Sequence, residues 1–424
     1  MKYFIKKIYL ILFLITILFL STGTFSKESE IEYSKENISN YFSGIISANQ
    51  NYTSAAFKYL NKIQSLKNSH SNFNIQFIRT LILLKKFEQA FAFSKSVWLE
   101  DEFFFEIDLL LGLEAFVKKD YLSAEKYFVR LNKISRYNLF FEDFLGNILL
   151  SWVKASENNK NDSFKFLDKI PERYHNLKQI QNSFLHCYFD TPKTQKVFEK
   201  FIGSDDSTFS RYNFFLANYL LFKNKNLKAE KVIRLGRKAQ NSNLLIKQAE
   251  NFILTENSNK IKNFFNCRNP KDVVGEIFYV MANLYSTQKK YQLSNFYLEI
   301  SLFLNKKFTP NKTLLAENFF YQKKYEFSKK IYNSLKSIGP VYSWYASTSL
   351  ATILSNIEDK EYFISDLENE FNLISNPDLE QYYELANFFK DNKYYDKSIK
   401  YYSLALKNIN QDNFLVPRIL YRRG

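Results

Sequence analysis

Three histidines, two cysteines, nine glycines and a scatter of carboxylates are the raw material for any chemistry in this chain. His70, His175 and His186 stand far apart, and none forms the His-Glu-x-x-His pair that sets two imidazoles on one helical face for zinc. His186-Cys187 is an adjacent pair rather than one at metal-ligand spacing, and no second ligand cluster lies near it. The glycines occur singly, so there is no Gly-x-Gly cradle and no P-loop to hold a phosphate. Glu368-Asn369-Glu370 and Asp101-Glu102 sit beside lysines and read as solvated helix surface rather than as a working acid–base pair. This inventory points away from an enzyme, and it calls for no cofactor and no metal. Cys187 and Cys267 lie 80 residues apart, outside any Cys-x-x-Cys motif. Oxidising surroundings would permit a disulfide, but repeats so distant are not ordinarily neighbours, so two buried free thiols are expected.

The elements that carry these residues are helices. Apolar residues make up 46% and aromatics 18%, enough for a large core and too much for a disordered chain. Nine glycines and seven prolines are too few for a strand-and-turn protein of 424 residues. An internal period sets the architecture. Aromatic residues at the start of candidate second helices fall at Tyr52, Phe87 and Tyr121, spaced 35 and 34 apart. They recur at Tyr291 and Tyr325, again 34 apart, and at Tyr395, 70 further on. Small residues keep step with them: Gly112, Ala282 and Ala386 in first helices, and Ala124, Ser294 and Ser398 in second helices. Those small residues are expected where the two helices of a hairpin cross, with the aromatics filling the space between hairpins.

These motifs resemble the tetratricopeptide repeat. The best units are Leu111-Gly112 with Ala115, Tyr121 and Ala124; Met281-Ala282 with Tyr285, Tyr291 and Ser294; and Leu385-Ala386 with Phe389, Tyr395 and Ser398. The resemblance implies an all-α fold, an α–α superhelix of about eleven helical hairpins between residues 39 and 411. Units near 52, 87, 121, 226, 291, 325 and 395 are clear; those near 160, 191, 258 and 360 are degenerate, and could be irregular hairpins of a related solenoid. Asp190-Thr191-Pro192 and Gly203-Ser204-Asp205-Asp206-Ser207 break the pattern, and a kink is expected there, dividing N-terminal repeats (39–202) from C-terminal ones (203–424). As a whole the chain is similar to exported multi-repeat tetratricopeptide proteins of alphaproteobacteria. Tyr41-Phe42-Ser43-Gly44 with Tyr52 to Ala56, Val280 to Tyr285 with Tyr291, and Pro417 to Gly424 carry that likeness.

Function must then lie in surfaces. In this repeat class the residue after the small position of the first helix faces the concave side, which here places Asn218, Asn283 and Asn387 there. An amide carries donor and acceptor together, so such a row can grip the backbone of an extended partner segment; it can equally tie neighbouring helices to one another. Glu317, Phe320 and Tyr321 would add an acid and apolar contacts to the same groove. Lys228, Lys231, Arg234 and Lys238 share a face of a second helix, either as solvated surface or as a contact for anionic lipid or cell-wall polymer. The net charge of +16 is ambiguous, because heavy use of Asn, Ile, Phe, Tyr and Lys together is what AT-biased coding produces.

The first 26 residues read as a targeting segment, followed by a short linker (27–38). Lys2, Lys6 and Lys7 precede an apolar run from Ile8 to Leu20, shorter than the roughly 20 residues of a spanning helix, and Ser21-Thr22-Gly23 offers a small-x-small cleavage site. A cleaved signal peptide and a periplasmic scaffold for other envelope proteins are expected, the alternative being an uncleaved inner-membrane anchor. Export sets nucleic acid aside as a partner. At the other end, Pro417 to Gly424 reads as a first helix without its second, so the repeats are expected to be cut short there.

Overall fold

The computed structural model describes residues 34–424 apart from 69, 135–143, 203–209, 240–241, 356–359, 375 and 408–414. The targeting segment and the Gly203–Ser207 break lie outside the described residues. Every regular element described is helical, and the chain divides into two compact units, one ending at Phe77 and the other beginning at Ile78.

The first unit contains α1 (Lys35–Asn49), α2 (Thr53–Leu60), a 3-10 turn (Asn61–Asn68) and the start of α3 (Ser71–Leu83), within which the boundary falls. Helix α1 begins inside the stretch read as linker, because Ser34 accepts a hydrogen bond from the Asn37 amide and so caps it. Phe57, Phe73 and Phe77 stack in series at 5.6–6.2 Å and form this unit's aromatic core.

The second unit continues in hairpins. In order they are α4 (Phe87–Val97), α5 (Phe105–Val117) with α6 (Tyr121–Leu131), α7 (Leu145–Ser156) with α8 (Lys160–Asp168), and α9 (His175–Tyr188) with α10 (Thr194–Ile202). Next come α11 (Tyr212–Phe222) with α12 (Asn226–Ala239), α13 (Leu244–Leu254) with a 3-10 turn (Ser258–Asn263), and α14 (Pro270–Thr287) with α15 (Tyr291–Leu304). The last are α16 (Thr309–Tyr321) with α17 (Tyr325–Leu335), α18 (Pro340–Ser355) with α19 (Lys360–Asn372), α20 (Leu379–Asp391) with α21 (Tyr395–Lys407), and the single helix α22 (Val416–Arg423). Second elements start at 53, 87, 121, 160, 194, 226, 258, 291, 325, 360 and 395 among the described residues, as the period requires. Among the described residues the fold is an all-α, tetratricopeptide-like solenoid of eleven hairpins.

Two local devices repeat with the hairpins. The small positions are bonded together as well as close: Ser294, Ser328 and Ser398 donate their Oγ hydrogens to the carbonyls of Ala282, Ala316 and Ala386, each twelve residues earlier. Where glycine takes the place of alanine the approach is closer still; a Cβ on Gly112 would lie 2.3 Å from the Phe128 ring. Among the described residues, the turns inside ten hairpins are left-handed caps. Asn51, Lys85, Lys119, Asn158, Asp190, Asn224, Glu256, Lys289, Lys323 and Lys393 all have φ between 49° and 67°. At Lys289 the cap amide bonds Ser286 O and the next amide, Lys290 N, reaches back to Tyr285 O at 2.9 Å, the Schellman pattern that satisfies the helix's last carbonyls. The aromatic period seen in the sequence follows this cap, by one residue at Tyr52 and by two at Phe87, Tyr121, Tyr291, Tyr325 and Tyr395. Asp190-Thr191-Pro192, expected as a kink, is one of these regular turns, with Thr191 N bonded to His186 O.

The expectation of free thiols is overturned, since Cys187 and Cys267 form a disulfide with Cα atoms 6.0 Å apart. The seventh hairpin explains it. Its second element is only a 3-10 turn from Ser258 to Asn263, too short to hold the following residues away, so they fall back on the fifth and sixth hairpins. Phe265 packs on Phe215 at 4.4 Å and on Phe184 at 5.4 Å, and Glu276 accepts hydrogen bonds from Arg211 at 2.6 Å and Tyr212 at 3.0 Å. A second non-sequential contact sets α4 against α15, where Phe87 stacks on Phe303 at 4.4 Å and Lys85 lies 3.5 Å from the buried carboxylate of Glu299.

Candidate functional site

In the second unit a cavity of about 420 Å³ opens on the first-helix side of the hairpins. Its walls come from four first helices: Leu244 and Lys247 of α13, Glu317 of α16, Tyr345 of α18, and Glu380, Tyr383, Glu384 and Asn387 of α20, with Ser242 and Leu415 beside them. Helices α16, α18 and α20 belong to successive hairpins, so the repeat itself aligns them. Helix α13 arrives from three hairpins earlier. It is held because Gln248, buried at 1% exposure, accepts the Val341 amide hydrogen at 3.1 Å. Gly339 permits the contact, since a Cβ there would lie 2.4 Å from the Gln248 amide nitrogen.

The cavity is acidic. Glu380 is matched by Lys247, with Arg237 a looser neighbour at 3.9 Å. Among the described residues Glu317 and Glu384 have no ion pair; they accept hydrogen bonds from neutral donors, Tyr345 Oη at 2.5 Å and Trp344 Nε1 at 2.6 Å, and the charge of Lys247 acts on Glu384 without a direct contact. Desolvation raises the pKa of both carboxyl groups, the Tyr345 hydroxyl pulling Glu317 partly back. Glu384 is exposed as a residue, yet the protein massed around its carboxyl group still produces that shift. Tyr345 and Tyr383 supply aromatic wall. At the rim Arg422 of α22 donates to Asn387 Oδ1 at 2.5 Å and lies 5.6 Å from the Tyr383 ring centre.

Of the six residues placed in the groove from sequence, the cavity unites two, Glu317 and Asn387. Asn387 is already engaged, accepting from Tyr402 Oη at 2.6 Å as well as from Arg422. Asn283 is exposed on α14. Asn218 is 1% exposed and donates to Ile261 O at 3.1 Å, so it ties α11 to the short 3-10 turn. Phe320 packs with Tyr325 and Tyr321 lies exposed against Tyr291, both on α16 and outside the cavity lining. Lys247, Tyr345, Glu380, Tyr383 and Glu384 were not singled out by the repeat spacing. The one available signal was local: Glu380, Glu384 and Asn387 recur at helical intervals on the side of α20 away from buried Leu385, Ala386 and Phe389.

Two other features complete the inventory. A cavity of about 390 Å³ is lined by Lys160, Phe164, Asn182, His186, Thr191, Pro192 and Lys193. Burial, and then the charges of Lys160 and Lys193, push the His186 imidazole below its ordinary pKa, while its Nδ1 lies 2.7 Å from Thr191 Oγ1. On α12, Lys228, Lys231, Arg234 and Lys238 are all exposed, together with Leu227 and Leu235, and Arg234 pairs with Glu230 at 2.7 Å. Among the described residues no group of His, Cys, Asp and Glu is placed to hold a metal ion, and no helix is long and apolar enough to cross a membrane.

No family model matches the chain, and no curated protein matches it. Solved structures do. A chain of the APC/C hetero-tetramer Cut9–Hcn1 aligns over 92% of this chain and 83% of its own length, with 10% identity and a TM-score of 0.29. A chain of Naa15/Naa10 bound to HypK-THB aligns over 91% of this chain and 66% of its own length, with 11% identity and a TM-score of 0.27. Neither likeness bears on what this chain binds.

Proposed function

We propose that this chain is a non-enzymatic scaffold of the cell envelope that holds segments of partner proteins against its first helices. One observation carries the reading: the first helices α13, α16, α18 and α20 converge on an open cavity whose polar groups point at solvent-accessible space. A solenoid presents such a surface because stacking consumes the apolar sides of each hairpin and leaves one side of the first helices free. The envelope location is supported by the basic, then apolar, N-terminus and by the Cys187–Cys267 disulfide, since such bonds persist in oxidising compartments. The partners on this reading are other envelope proteins, with no nucleic acid and no cofactor.

A photo-crosslinking residue placed at Asn283 or Tyr383, and separately at Lys228 on the outer face of α12, tests it in intact cells. Adducts to a discrete protein from the first-helix positions, absent from Lys228, are the expected result. Adducts from Lys228 alone would transfer the function to the outer face. That second reading, contact with an anionic lipid or polymer surface, has its own support, because Leu227 at 84% and Leu235 at 52% exposure stand among the four basic residues. Binding through that face weakens steeply with salt, whereas a groove gripping backbone does not.

A further inference from the structure

We infer that the cavity between α13, α16, α18 and α20 selects an arginine side chain from the segment it holds, an inference that rests on the scaffold reading above. The cavity offers three carboxylates and one ammonium, and the ammonium of Lys247 is already matched by Glu380. Glu317 and Glu384 have neutral hydrogen-bond donors, Tyr345 and Trp344, and no ion pair among the described residues; Glu317 is half-buried and Glu384 has protein massed around its carboxyl group. Charges in such a place gain more from a bound cation than exposed ones do, because screening is weaker. The two tyrosines line the cavity, and a planar guanidinium stacks on aromatic rings and forks its N–H donors toward carboxylates, whereas a lysine ammonium stacks less well and offers no planar fork. The chain itself displays the aromatic half of this recognition at the rim, where Arg422 approaches the Tyr383 ring and donates to the Asn387 amide oxygen.

The net charge sharpens the argument. A protein of net charge +16 repels basic segments in general, so an affinity for arginine must come from a local site. That property also makes the inference easy to separate from non-specific adhesion, which on this protein would favour acidic peptides.

The test is a display library of random twelve-residue peptides selected on the full chain, each enriched peptide then remade with every arginine replaced by citrulline, a neutral isostere. Binding is measured by fluorescence anisotropy to the wild type, to Glu317→Gln/Glu384→Gln and to Tyr345→Ala. The expected result is enrichment of arginine at one position, a loss of tenfold or more on citrulline replacement with the wild type, and a loss of under threefold with the double glutamine variant. Citrulline replacement leaves the protein untouched, so the outcome does not depend on how the variants fold. Peptides that lose binding on Tyr345→Ala but are indifferent to citrulline would overturn the arginine preference and leave the scaffold reading standing. Peptides indifferent to every cavity change, or no enrichment at all, would count against both.

Discussion

Closing the Cys187–Cys267 disulfide constrains a loop of 80 residues, and its reduction is the perturbation whose size follows most directly from the structure. In the chain-entropy account a cross-link over that length removes about 4.5 kcal/mol of conformational freedom from the unfolded ensemble, with about 2–4 kcal/mol the usual measured yield. Cys187 is 0% and Cys267 4% exposed, so a reductant reaches the sulfurs only after local opening of α9 from the 264–268 segment. Reduction should therefore be slow in buffer and fast in moderate urea. Once reduced, the protein should melt on the order of 2–5 °C lower. The assay is thermal melting by circular dichroism with and without reductant, beside Cys187→Ala/Cys267→Ala as a control that reductant should leave unmoved. Thiol counting by maleimide mass shift in guanidinium comes first: none is expected before reduction and two after it. Two alkylated thiols in unreduced protein, or a reductant effect equal in the double variant, would refute the reasoning.

Glu299, buried with only Lys85 near it, has its carboxyl pushed up to about 7 by desolvation, from 4.5. The folded state then holds a proton that the unfolded state releases, so this group's stabilisation is full below about pH 4.5 and is lost as pH rises through about 7. Glu299→Gln should remove that slope from urea midpoints between pH 5 and 8 and raise stability at pH 8 by up to roughly 3 kcal/mol. Arg130 bonds Asp108 at 2.7 Å and the carbonyls of Leu99, Glu100 and Glu102, so Arg130→Met strands a carboxylate at 0% exposure. It should lower stability by about 3–5 kcal/mol in urea titrations, partly restored by Asp108→Asn. Gly112→Ala, driven against Phe128, should destabilise by about 1–3 kcal/mol, whereas Gly275→Ala, meeting nothing nearer than 3.4 Å, should be neutral or stabilising by up to about 1 kcal/mol in the same assay. Lys119→Gly, at a left-handed cap with φ of 64°, should raise the melting midpoint by the equivalent of about 1 kcal/mol.

The residues alone reveal what each hairpin does with its immediate neighbours. Helices, their starts and the count of eleven follow from a period of 34, because Ala282 with Ser294, or Ala386 with Ser398, is a contact twelve residues long that any copy of the motif repeats. The degenerate units near 160, 191 and 360 formed second helices on the same terms, whereas the one near 258 formed only a 3-10 turn. The turns were half legible: an aromatic stands two residues after the caps at Lys85, Lys119, Lys289, Lys323 and Lys393, but the cap itself fell on lysine, asparagine or an acid rather than on glycine. Contacts between distant hairpins were not legible. The pairing of Cys187 with Cys267, the burial of Asn218 and the arrival of α13 beside α18 all depend on how far the seventh hairpin's shortened second element lets the chain fall back. That displacement accumulates over several hairpins, and no single residue type records it. The acidic cavity is its product, since the repeat alone aligns α16, α18 and α20, while only the tertiary path of the chain brings Lys247 across to pair with Glu380.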